Sequence, residues 1–175
     1  MTTLVLAGGC FWCLDAVLRL FYGVEQVTSG YTGGTSTAPT HDEVGTGRTG
    51  HAESVRVRFD ERVLPAEVVL DVFFSVHDPR QRDRQGADVG TQYRSAVFVA
   101  DDGQRSLVEA AVARADEAWG GGVVTRVEPL GAWWDAEEEH QDFVEKNPGR
   151  AWCTAVAVPK VAAVRRSFAR WVRAV

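Results

Sequence analysis

Short apolar runs of strand length alternate with segments of helical periodicity along almost the whole chain, and this interleaving limits the fold more than any other feature. Residues 2–7 hold the unbroken run Leu4-Val5-Leu6 and read as a buried strand stopped by Gly8 and Gly9. Phe11, Leu14, Val17, Leu18 and Phe21 recur at helical spacing, which predicts a helix over 11–22 ended by Gly23. Strands are expected over 24–31, 54–59, 94–100 and 123–130, and helices over 64–76, 104–119, 136–146 and 161–175. The polar stretches 32–50 and 77–93 read as long loops. A β-α-β order occurs twice. The expected fold is therefore α+β: a ferredoxin-like α/β sandwich with a mixed, mainly antiparallel sheet, flanked by helices and long loops. At 175 residues the chain is expected to form one domain, 1–175.

Charge narrows the function classes. The 24 acidic residues outnumber the 19 basic ones, a net charge of −5. Nucleic-acid binders usually present a basic face, so no nucleic-acid partner is expected. No run approaches the roughly 20 apolar residues of a membrane span, and none is expected. Leu4 to Ala7 is too short for a signal-peptide core, so the expected location is cytoplasmic, where thiols stay reduced. The three cysteines, Cys10, Cys13 and Cys153, are an odd number that cannot form a disulfide framework. A monomer is the default expectation.

Cys10 stands between the first strand and the first helix. Free N–H groups and the positive end of a helix stabilise an anion there, which predicts a thiol pKa below the roughly 8.5 of free cysteine. Cys10 is thus a candidate nucleophile, although an inert buried cysteine starting a helix fits the position equally well. Cys10-Phe11-Trp12-Cys13 is also a CxxC, which opens the alternative of a general thiol-disulfide oxidoreductase. A zinc site needs further clustered ligands, which Cys153 and the histidines do not supply by spacing, so no metal is expected. Phe11 and Trp12 read as walls of a small apolar pocket, or as core. Glu53 shares the parity of Val55 and Val57 and faces the apolar side, where a carboxyl group must be paired or protonated and can act as a general acid. Asp88 and Tyr93, just before another strand, can hydrogen-bond at a pocket mouth, or simply close a turn.

These residues stand in motifs that resemble the A class of peptide methionine sulfoxide reductases. Gly8-Gly9-Cys10-Phe11-Trp12 is similar to the family's active-site signature. Gly30-Tyr31-Thr32-Gly33-Gly34, Thr49-Gly50-His51-Ala52-Glu53, His77-Asp78-Pro79, Arg84-Gln85-Gly86 and Gly90-Thr91-Gln92-Tyr93-Arg94-Ser95 follow in the family's order. Glu138-Glu139-His140-Gln141, Asn147-Pro148 and Val158-Pro159-Lys160-Val161 continue the match. The resemblance implies reduction of methionine S-sulfoxide, free or in proteins, by a single catalytic domain without metal or organic cofactor. Cys10 would be the nucleophile and Glu53 the proton donor. Asp88 and Tyr93 would bind the sulfoxide oxygen, and Phe11 and Trp12 the methyl group. A second cysteine would resolve the Cys10 sulfenic acid, and thioredoxin would reduce the disulfide.

Three positions depart from the family pattern. His41 stands in Ala38-Pro39-Thr40-His41 where tyrosine is usual, and it can still hydrogen-bond the sulfoxide oxygen. Cys13 stands where many members carry glycine, and no further cysteine follows Cys153. Cys153 matches a resolving position of the family and is expected in a loop, which would bring its sulfur into disulfide range more readily than a helix brings that of Cys13.

Overall fold

The computed structural model describes residues 1–174. Its main sheet has six strands in the order β7-β6-β1-β3-β2-β8. These are β1 (Thr2–Gly8), β2 (Val24–Thr32), β3 (Ala52–Phe59), β6 (Ser95–Val99), β7 (Arg126–Pro129) and β8 (Trp134–Asp135). All neighbours are antiparallel except β6 and β7. Helix α1 (Phe11–Leu18) connects β1 to β2, and α3 (Ala66–Val76) lies between β3 and β6. The inner strands and these two helices make the ferredoxin-like split βαβ unit, so the α+β sandwich is present with a mixed sheet.

Register decides what the sheet buries. Leu4 lies opposite Val57, Leu6 opposite both Val55 and Val97, and Val27 opposite Val57. Those side chains share one face. Leu14 and Val17 of α1 and Val69, Leu70 and Phe73 of α3 join them in one buried cluster. It also takes in Val108 and Ala111 of α4 (Asp102–Ala118) and Val164 of α6 (Val158–Ser167). On the opposite face Val5, Ala7, Ala52, Ala96 and Phe98 form a smaller buried cluster, with Leu130 and Trp133 packed against them. Among the described residues no helix is long and apolar enough to cross a membrane.

Several boundaries differ from the periodicity. The first helix stops at Leu18, because residues 20–22 pair with the chain's end: Phe21 bridges Val172, and the Tyr22 N–H donates to the Trp171 carbonyl at 2.9 Å. The terminal helix accordingly ends at Ser167, and Val175 lies outside the described residues. The 32–50 segment holds a short helix, α2 (His41–Gly45), started by a capping box: Thr40 accepts from the Glu43 N–H, and Glu43 accepts from the Thr40 N–H at 2.8 Å. That pattern was readable in the sequence as Thr-x-x-Glu. The 77–93 segment contains the hairpin of β4 (Arg84–Gln85) and β5 (Asp88–Val89) and a 3-10 turn, Thr91–Tyr93. The acidic segment is not one helix. Asp142 is left-handed at φ 53 and separates the 3-10 turn Glu138–His140 from α5 (Phe143–Lys146).

The largest departure concerns Cys153. The residue opens a π-helical turn, Cys153–Ala157, continuous with α6, and is not in a loop. Pro159, at the start of α6, has no N–H to close a tighter turn there.

Gly30, where β2 meets β8, has no room for a side chain, since a Cβ would overlap the Trp133 ring and the Trp134 carbonyl. Gly30→Ala is expected to destabilise the protein by roughly 1–3 kcal/mol through overpacking. A urea midpoint lower than wild type at unchanged slope checks this.

Candidate active site

Cys10 is the N-cap of α1, and the backbone around it is shaped by close packing. Gly9 adopts φ 89, and a Cβ there would come within 2.8 Å of the Gln85 side chain. Gln85 is held by the Asp78 backbone on both sides, accepting at 3.1 Å and donating at 3.0 Å. The β4–β5 hairpin is thereby seated against the cysteine turn, and it carries Asp88.

Glu53 enters from β3, opposite Tyr31, and is only 2% exposed. One carboxylate oxygen accepts the Phe11 N–H at 3.1 Å, while the other lies 3.4 Å from His41 Nε2. The free donor at the start of α1 is therefore used by Glu53. This overturns the expectation of a lowered thiol pKa. Burial pushes the Cys10 thiol well above its usual range, and the charges of Glu53 and Cys13 add to the rise. The Trp12 N–H opposes them without prevailing. In the resting site the proton sits on sulfur beside Glu53.

An aromatic cluster frames these groups. Phe11 is fully buried and forms the floor. Trp12 stacks flat on Phe143 at 3.7 Å, meets Trp152 edge-on, and donates Nε1–H to His140 Nδ1 at 3.3 Å. The His140 and His41 rings stack with centroids 4.2 Å apart. Glu137 ties the layer together, accepting the His41 N–H at 3.0 Å and the Tyr31 hydroxyl at 3.2 Å. Tyr93 is pushed up to about 12 by burial and by the charges of Glu53, Asp88 and Cys10, and burial also raises Asp88.

The structure thus brings Cys10, Phe11, Trp12, His41, Glu53, Asp88 and Tyr93 to one end of the sheet. Tyr31, Glu137, Phe143 and Trp152 belong to the same cluster and carried no role in the sequence reading. Tyr31 and His140 stood there only inside motifs. Both remaining cysteines are buried, Cys13 at 4% and Cys153 at 1% exposure. Trp133 packs on Gly30 and lies under the Arg56 guanidinium at 4.9 Å, which makes it a packing residue. Among the described residues no group of three or more His, Cys, Asp or Glu side chains could hold a metal ion.

The two stacked imidazoles are driven apart in pKa. The hydrogen bond to Glu53 raises His41, whereas burial, then the His41 charge, lowers His140. Because His41 is raised, the stability from its pairing with Glu53 is full below the ordinary histidine pKa of about 6.5 and is lost as pH rises through the folded value. NMR titration is expected to place the two rings on opposite sides of that ordinary value. Glu53→Gln is expected to bring the His41 midpoint down.

Comparison with known proteins agrees with this architecture. The family model for peptide methionine sulfoxide reductase matches residues 2–171. The MsrA peptide methionine sulfoxide reductase of Clavibacter michiganensis is 63% identical over 174 residues, covering 99% of both chains. Crystalline Mxr1 from Saccharomyces cerevisiae in reduced form superposes with a TM-score of 0.82 at 31% identity, over 87% of this chain and 88% of that one. Methionine sulfoxide reductase A of Corynebacterium diphtheriae gives a TM-score of 0.74 at 34% identity, over 83% of this chain and 74% of that one. The chain belongs to the A class of the peptide methionine sulfoxide reductase family.

Proposed function

We propose that this protein, a thiol-dependent peptide-methionine (S)-S-oxide reductase by family, works as one catalytic unit through Cys10 and Glu53. The observation that carries this reading is the buried Glu53 carboxylate, bound to the first N–H of α1 next to the Cys10 thiol. Cys10 Sγ attacks the sulfoxide sulfur, and the sulfur–oxygen bond of the substrate breaks. The thiol proton passes through Glu53 to the oxygen, which ends as hydroxyl on the Cys10 sulfur. The substrate sulfur gains two electrons and Cys10 loses two. The products are methionine and a Cys10 sulfenic acid.

The polar neighbours act on the oxygen. Tyr93, kept protonated by its raised pKa, donates a hydrogen bond, and Asp88 helps hold the oxygen, in part through water. His41 supplies the donor that tyrosine gives in other members. It also supports the proton on the oxygen side of Glu53, so activity falls as pH rises through its raised pKa. Phe11 and the half-buried Trp12 receive the methyl group against apolar surface.

A second cysteine, Cys153 or Cys13, closes a disulfide with Cys10. Thioredoxin is the proposed reductant, acting on a monomer in the cytoplasm. The net charge of −5 argues against a nucleic-acid partner. Mxr1 of yeast has been crystallised in complex with Trx2, a structure 22% identical in sequence with a TM-score of 0.58 that supports the fold alone. The general disulfide-exchange alternative leaves Glu53 and the two histidines without work.

Incubation with each epimer of methionine sulfoxide and dithiothreitol tests the reading. Methionine is expected from the S epimer only, and none from Cys10→Ser. Glu53→Gln is expected to slow the reaction by about 10²–10⁴-fold, the range of general acid catalysis. Equal product from wild type and Cys10→Ser would overturn the assignment.

A further inference from the structure

The helix that presents Cys10 and Trp12 carries, toward its far end, a charged cluster that the sulfoxide chemistry does not use. Asp15 of α1 is only 1% exposed. A buried carboxylate is costly without partners, and the guanidinium of Arg19, the C-cap of the same helix, takes both of its oxygens. Nε donates at 2.9 Å and Nη2 at 3.0 Å. Nη2 also donates to the Val27 carbonyl of β2 at 2.9 Å. Arg19 Nε lies 3.4 Å from a carboxylate oxygen of Asp142, the N-cap of α5. One guanidinium thus ties α1 to β2 and to the segment entering α5.

Asp142 is where that segment turns. Gln141 before it is fixed to β2, accepting the Ser29 N–H at 2.8 Å and donating to the Ser29 carbonyl at 2.9 Å. Phe143 after it stacks on Trp12. Between these two anchors Asp142 takes φ 53 and ψ 40. Residues with a Cβ seldom adopt that region, and it persists only where the surroundings hold it. The Asp142 side chain makes no capping bond to α5; its carboxylate meets Arg19 instead. An exposed ion pair usually contributes little, because two mobile side chains must be ordered to make it. Arg19 is already ordered by Asp15 and Val27, so Asp142 meets a cation fixed in advance.

We propose that Arg19 and Asp142 are positioning residues of the methyl pocket: their ion pair holds the left-handed turn that seats Phe143 against Trp12, and so sets the affinity for the sulfoxide side chain. The inference rests on the reductase reading above, in which Trp12 receives the methyl group. Helix α1 then supplies both an aromatic wall of the pocket and, about two turns on, the anchor for the ring that backs that wall. Neither residue of the pair touches the reacting atoms. Losing the pair weakens binding and leaves the chemical step at Cys10 and Glu53 as it was.

The test is the first turnover without reductant, followed as methionine formed at increasing concentrations of methionine S-sulfoxide, so that half-saturation and limiting rate are read separately. Asp142→Asn removes the charge, keeps a residue that tolerates the left-handed region, and leaves the buried Asp15–Arg19 pair intact. Its half-saturating concentration is expected to rise about threefold, the size of a partly exposed ion pair, with the limiting rate unchanged. Asp142→Gly is expected to show the same rise, since glycine accepts the backbone angles without the charge. Phe143→Leu removes the stack, and in that background Asp142→Asn is expected to add nothing, because the two changes act through one contact. Three results would overturn the proposal: an unchanged half-saturation in Asp142→Asn, a change confined to its limiting rate, or a rise equally large in the Phe143→Leu background. Absence of methionine from the wild-type protein would instead defeat the reductase reading itself.

Discussion

One hydrogen bond organises this molecule's chemistry: the Phe11 N–H to the Glu53 carboxylate, across 42 residues of chain. It joins the start of α1 to the inner strand β3 and satisfies a donor that has no partner within its own helix. It also accounts for the carboxylate's burial. A charged group on the apolar face of a sheet is costly unless its oxygens are bonded, and here the helix start takes one and His41 the other. Cys10 then shares its surroundings with a negative charge, and its thiol holds its proton. Thiol and carboxylate are thus held as neighbours in one buried site.

The second organising feature is the aromatic and imidazole layer over that carboxylate. Trp12 is held by a stack, an edge contact and a hydrogen bond, so the orientation of its ring is set by three other residues. His41 lies between Glu53 and His140, with Glu137 pinning its backbone. A histidine in place of a phenol changes the site in kind. Pairing with Glu53 raises the imidazole's pKa, whereas burial is the main cause that raises the Tyr31 and Tyr93 hydroxyls.

Much of this was legible residue by residue. Parity along 53–59 put Glu53 with Val55 and Val57, and the register Tyr31 to Glu53 places it there. The two glycines before Cys10 marked the end of the first strand, and Gly9 has both a positive φ and crowding against Gln85. Periodicity overran the real helix ends at Leu18 and Ser167, because nothing local says that residues 20–22 pair with 171–173. The acidic segment read as one helix because its composition allows it. Its break at Asp142 leaves Gln141 to bond both the N–H and the carbonyl of Ser29.

The sequence alone determined the alternation of strands and helices, the location of Cys10 where a strand hands over to a helix, and the face on which Glu53 lies. Those follow from local spacing and from the two periodicities of the backbone. Only the tertiary structure decided which acceptor takes the free donor of α1, in which direction the thiol pKa moves, and that Cys153 is built into a buried helical turn. Each depends on elements distant in the chain being pressed together. Burial and charge act through space, and no spacing along the sequence records that.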